Sequence, residues 1–101
     1  MYVSKLNFRT KPGKSQELEE MLGTLSAMVA SAGGSGPRVL RTHFASPGAP
    51  DIVFEQEAED LATLETQIGE VTALPEFQEW SGKVSPLLAQ SPHREIFAVR
   101  R

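Results

Sequence analysis

Apolar and polar positions alternate with a period of two over Tyr2–Arg9. Tyr2, Leu6 and Phe8 fall on one side; Lys5, Asn7 and Arg9 fall on the other. That spacing predicts a half-buried strand, and Lys11-Pro12-Gly13-Lys14 ends it with turn formers. From Ser15 the period becomes 3.6: Leu18, Met21, Leu22, Leu25, Met28, Val29 and Ala32 make one continuous stripe. Glu17, Glu19 and Glu20 crowd the start of this helix, where its dipole favours negative charge. Gly33-Gly34 closes it, because the residue beyond a helix end often needs positive φ.

Two further alternating runs follow. In Arg38–Ala45, Leu40 and Phe44 oppose Val39, Arg41 and His43; in Asp51–Glu57, Ile52 and Phe54 oppose Val53, Glu55 and Glu57. The loop Ser46-Pro47-Gly48-Ala49-Pro50 is short enough to make these strands antiparallel neighbours. Leu61, Leu64, Ile68 and Val71 predict a second helix, which Leu74-Pro75 interrupts. Pro75 suits the first position of a third helix with Phe77, Trp80, Val84, Leu87 and Leu88 on its apolar face. Pro86 should kink or end it. The last strand, within His93–Arg100, opposes Ile96 and Ala98 to Phe97 and Val99.

The order β-α-β-β-α-(α)-β predicts an α+β, ferredoxin-like βαββαβ fold. It has a four-stranded antiparallel sheet with helices on one face, in a single domain spanning residues 1–101. The pattern sets Val39, Val53 and either Phe97 or Ile96 on the far face of the sheet. They share it with Lys5, Asn7, Arg9, Arg41, His43 and Glu55. Such a mixed face suits a second sheet packed over a partly polar cavity. A second copy of the chain related by two-fold symmetry is the simplest source of that sheet, so a homodimer is expected.

Composition narrows the function classes. With no cysteine, there is no disulfide framework, thiolate nucleophile, iron–sulfur cluster or cysteine-type zinc site. No run of 18 apolar residues predicts a membrane span. MYVSKLNFRTKPGK has no apolar segment of the secretory kind, so a cytoplasmic location is expected. The net charge of −3 hides an asymmetry: nine acids and no Lys or Arg lie between Asp51 and Glu79. That run reads either as a solvated helix face or as a surface repelling polyanions, and both argue against nucleic acid.

The passage Asn7-Phe8-Arg9-Thr10-Lys11-Pro12-Gly13-Lys14 and the stretch Leu74-Pro75-Glu76-Phe77-Gln78-Glu79-Trp80 resemble the dimeric α/β-barrel superfamily, in particular its NIPSNAP-like branch. Leu87-Leu88 before the final strand fits as well. The resemblance spans nearly the whole chain in element order. It implies a fold that serves cofactor-independent monooxygenases, haem-degrading enzymes, small-molecule isomerases and members with no assigned activity. In haem-degrading relatives an asparagine on strand one works with a tryptophan and a histidine of the second helical region. Asn7 and Trp80 match the first two, but no histidine lies between Asp51 and Pro92. No haem or other cofactor is therefore expected.

Candidate chemistry centres on His43, Asn7 and Arg41. A base, an amide and a guanidinium around one cavity would abstract a proton from an acidic ligand and steady the resulting enolate. The alternative is a strand histidine satisfied by Glu55. Arg9 and Arg41 read as an anion clamp or as cross-strand partners of Glu55 and Glu57. Phe77 and Trp80 read as walls of a ligand pocket or as core. His93 and His43 lack any metal-ligand spacing, so no metal site is expected.

Two functions follow. The first is a homodimer binding a small organic or acidic ligand between sheet and helices, with cofactor-independent monooxygenase or proton-transfer chemistry as its catalytic form. Its pocket would be lined by Asn7, Arg41 and His43 and walled by Phe77 and Trp80. The second is a non-catalytic homodimeric interaction or scaffold module.

Overall fold

The alternation over Tyr2–Phe8 forms β1 in the computed structural model, which describes residues 1–100. Phe8 is fully buried beneath the helices, while Lys5 and Asn7 point to the opposite side. Three further strands complete the sheet: β2 (Ser35–Arg41), β3 (Ile52–Ala58) and β4 (His93–Ala98). Their order across the sheet is β2-β3-β1-β4, with every neighbouring pair antiparallel. This is the ferredoxin-like arrangement that the element order predicts.

One side of the sheet carries α1 (Ser15–Ser31), α2 (Leu61–Thr72) and α3 (Pro75–Val84). The predicted stripe of α1 buries Leu18, Leu22, Leu25 and Val29 against Phe8, Ile52 and Phe54. Each such side chain contributes about 2 kcal/mol relative to full exposure. At the C-terminal end of α1 the Gly34 N–H donates to the Val29 carbonyl oxygen at 2.8 Å, and Gly33 takes φ of 85°. A Cβ on Gly34 would stand 2.3 Å from Val29 Cγ1, so this close approach requires glycine.

Asp60 caps α2 by accepting the Thr63 backbone N–H at 2.7 Å. Leu64 and Val71 are buried, whereas Leu61 is exposed, so the buried stripe of α2 starts one turn later than its spacing predicts. Pro75 opens α3, which ends at Val84 where Ser85–Leu87 tighten into a 3₁₀ turn containing Pro86. Beyond β1 the chain pairs with the segment after this turn: Ala89 N–H donates to the Arg9 carbonyl and Lys11 N–H to that of Leu87, both at 2.9 Å.

Strand β2 departs from its predicted bounds. It begins at Ser35 and ends at Arg41, with Pro37 inside it and an irregular register between Ser35 and Arg38. An edge strand tolerates proline at such an irregularity, because the missing N–H costs no ladder bond there. The consequence is a reversal of faces. Val39 pairs with Phe54 and Arg41 with Ile52, placing both on the helix side; Arg38 and Leu40 lie opposite Glu55 and Val53 on the far side. Thr42 accepts no further strand partner. Its N–H donates to the Asp51 carbonyl and its hydroxyl to that of Pro50, and the chain turns away. His43 and Phe44 consequently sit in an exposed loop rather than in the sheet.

Candidate functional site

Between β1 and α3 lies a cleft of about 410 Å³, within the range of small-molecule sites. Leu6 and Phe8 form its floor, and Phe77, Trp80 and Val84 of α3 form a wall. Ser81, Ser85, Gln90 and Ser91 supply hydroxyls and an amide along its margin. The sequence positions these groups simply. Pro75 starts α3 in register to point Phe77, Trp80 and Val84 at the sheet, and Pro86 then ends the helix so that residues 88–92 cross the end of the cleft.

Trp80 is the best-anchored member of the wall. Its indole N–H donates to the Met21 carbonyl oxygen of α1 at 2.6 Å, and its ring lies 5.5 Å from that of Phe77. The buried indole therefore has its polar edge satisfied by α1 and a ring face available to the cleft.

A second hollow, of about 420 Å³, opens at the end of β1 and β4 and includes Asn7, Arg9, Gln90, His93, Arg94 and Glu95. Asn7 Nδ2 donates to Glu95 Oε1 at 2.6 Å. Thus Asn7 and Arg9 come together on one side of the molecule, as Phe77 and Trp80 do on another. Arg41 lies elsewhere. It donates from Nε and Nη2 to the two carboxylate oxygens of Glu19 on α1, each at 2.8 Å. These bonds hold the Arg41 guanidinium above its ordinary pKa and the Glu19 carboxyl below its own. His43 packs edge-on to Phe44, with ring centroids 5.7 Å apart, outside both cavities. Asn7, Arg41 and His43 do not converge on one cavity.

Glu55 is almost fully buried on the far face of the sheet, where Arg38 Nη2 meets it at 3.0 Å. That hydrogen bond raises the Arg38 pKa. Lys5 stands beside Glu55 in the strand register, and its ammonium lies 5.5 Å from the Phe97 ring centroid. The predicted partner of Glu55, His43, is replaced by Arg38 because of the β2 irregularity. Around this polar centre the same face exposes Leu40, Phe97 and Val99. Among the described residues, no group of three His, Asp or Glu side chains could hold a metal ion.

The geometry has close counterparts among solved structures. A NIPSNAP-like domain protein from Burkholderia xenovorans superposes with a TM-score of 0.78 at 20% identity, covering 98% of this chain and 84% of that one. A second NIPSNAP domain protein of that organism gives 0.73 at 17%, covering 99% and 95%. A Nitrosomonas europaea protein described as a candidate antibiotic biosynthesis monooxygenase gives 0.73 at 15%, covering 98% of each chain. The chain therefore shares the ferredoxin-like α+β fold of these proteins. At these identities the likeness is one of fold, and fold alone does not carry an activity. No family model matches the sequence, and no curated protein matches it either. Among the described residues, no helix is long and apolar enough to cross a membrane.

Sequence reasoning missed Arg38, Ser4 and Arg94. Arg38 was hidden by the irregular register of β2. Ser4 sits on the helix side of β1 at 1% exposure and accepts a hydrogen bond from Arg94 Nη1 at 2.5 Å. The alternation of β4 carried the signal for Arg94, since its even positions share a face with Leu6.

Proposed function

We propose that this protein is a homodimeric, cytoplasmic binder of a small organic molecule, held in the cleft between β1 and α3. The observation that carries the reading is the cleft itself: an apolar floor and an aromatic wall with hydroxyls and an amide at one margin. That mixture orients a ligand through few polar contacts and retains it by apolar burial. Phe77 and Trp80 are its ligand-contacting residues. Oxygenation or proton transfer on an electron-rich aromatic ligand is its catalytic extension. That extension draws support from the description of the Nitrosomonas neighbour.

The homodimer rests on the far face of the sheet. Leu40 at one edge of this face and Phe97 and Val99 at the other leave apolar side chains exposed across its width, and a second sheet would cover them. Arg38, whose side chain is exposed above the buried Glu55, would then lie under that cover.

A thermal-shift screen against quinones, flavonoid-like aromatics and small carboxylic acids tests the binding reading. Compounds that fill the cleft should raise Tm in the parent chain and not in Ser81→Phe, whose new ring occupies the cleft from the exposed side of α3. No stabilising compound in either chain, or equal stabilisation of both, would contradict it.

A further inference from the structure

The far face of the sheet carries a row of charges whose order follows from the strand register. Arg38 stands opposite Glu55, Glu55 opposite Lys5, and Lys5 opposite Glu95. The row therefore crosses β2, β3, β1 and β4 in turn, and its signs alternate: positive, negative, positive, negative. Among the described residues, Arg38 and Glu55 are its only ion pair, at 3.0 Å; Lys5 and Glu95 have none. Arg38 reaches a single oxygen of Glu55, and its own side chain is 65% exposed. Lys5 lies over the Phe97 ring, and the exposed Glu95 has one oxygen engaged by Asn7. The row keeps capacity for further partners along its whole length.

A two-fold interface must match itself, because wherever residue i meets j, j also meets i. Two sheets packed face to face with their strands nearly aligned are related by an axis across the strands or by one parallel to them. An axis across the strands at this row sets every charge on its own copy, like against like. An axis parallel to the strands, between β3 and β1, reverses the row. A reversed alternating row of four meets the original with opposite signs throughout.

Resting on the homodimer reading above, we infer that two copies meet about an axis parallel to the strands, with Arg38 against the partner's Glu95 and Lys5 against the partner's Glu55. Each pair occurs twice. The same operation lays the β2 edge, with Leu40, over the β4 edge of the partner, which carries Phe97. The charges then fix the register of the interface while the apolar side chains supply contact area.

Because the chain has no cysteine, engineered thiols report which residues face each other. Leu40 and His93 lie at the two ends of the neighbouring row, Leu40–Val53–Asn7–His93, outside the charged one. Both are exposed, so replacing them leaves the core intact. Within one chain they are three strand spacings apart, about 14 Å, but the inferred axis sets each over the other in the partner. Leu40→Cys and His93→Cys, mixed, left to exchange and treated with a short bismaleimide, should give a covalent dimer on a denaturing gel. Each variant alone should give none. Glu95→Gln keeps the acceptor for Asn7 but loses the charge, and acting twice it should raise the dimer Kd about fivefold or more. A cross-link in either variant alone would overturn the inferred axis and leave the homodimer standing. So would an uncross-linked mixture alongside a parent chain that sediments as a dimer. An unchanged Kd in Glu95→Gln would overturn the pairing. A parent chain that sediments only as a monomer would overturn both readings, and that measurement needs no variant.

Discussion

The Trp80 indole N–H reaches across from α3 to the Met21 carbonyl of α1 at 2.6 Å, so the wall of the cleft is bolted to the longest helix of the molecule. Trp80→Phe keeps an aromatic ring but removes this bond and part of a buried side chain. It should cost about 2 kcal/mol, combining a lost buried hydrogen bond with a small cavity. Urea denaturation with an unchanged m-value checks the loss. A cost below about 0.5 kcal/mol would mean that the bond contributes nothing net.

The end of α1 gives a second prediction. Gly34→Ala drives a methyl group to within 2.3 Å of Val29 Cγ1 and 2.8 Å of the Val29 carbonyl oxygen. Because the helix end and the start of β2 are both fixed there, relief requires backbone movement. The expected destabilisation is about 2 kcal/mol, the scale of overpacking. Gly23→Ala is the control, since a Cβ there meets no neighbouring atom and favours the helix.

Acid stability follows from two carboxylates. Hydrogen bonds from Arg41 hold Glu19 below its ordinary pKa, and the Thr63 backbone N–H does the same for Asp60. A depressed folded-state pKa means that the unfolded chain takes up protons first. The stabilisation is therefore complete above the ordinary carboxylate range and disappears as pH falls through the depressed values. Glu19→Gln combined with Asp60→Asn should lower Tm near neutral pH and flatten its fall on the acid side. A variant whose acid-side slope matches the parent would show that other groups govern it.

Dimerisation has its own test. Sedimentation at micromolar concentration should give twice the 11.0 kDa of one chain. Phe97→Glu puts a carboxylate opposite Val3 and removes the ring beneath the Lys5 ammonium, so it should give a single-chain species with its fold intact. A parent chain of 11.0 kDa alone would contradict the homodimer.

Where periodicity was long and uninterrupted, the sequence was a good guide. The stripe from Leu18 to Val29 packs as its 3.6 spacing predicts, and β1 presents the two faces its alternation describes. Pro75 and Pro86 bracket α3 as their missing N–H groups dictate, and Phe77 and Trp80 consequently reach the cleft. The failure was at β2. Alternation gave the correct grouping of Val39 with Arg41, but it cannot say which group faces the helices. The irregularity at Pro37 decided that the other way. The same strand ended at Arg41, so His43 left the sheet, and Arg41 found Glu19 rather than a cavity. The alternation of β4 told which face Arg94 takes, but its contact with Ser4 joins residues 90 positions apart, and only register reveals it.

Trp80 is the only tryptophan of the chain, and it lines the cleft on which the functional account rests. Its fluorescence during a 4-phenylbutyrate titration is therefore the most direct measurement of that account. A saturable change in emission in the parent chain, absent from Ser81→Phe, is the predicted result. Emission that stays constant, or that changes equally in both chains, would contradict a ligand site at this wall.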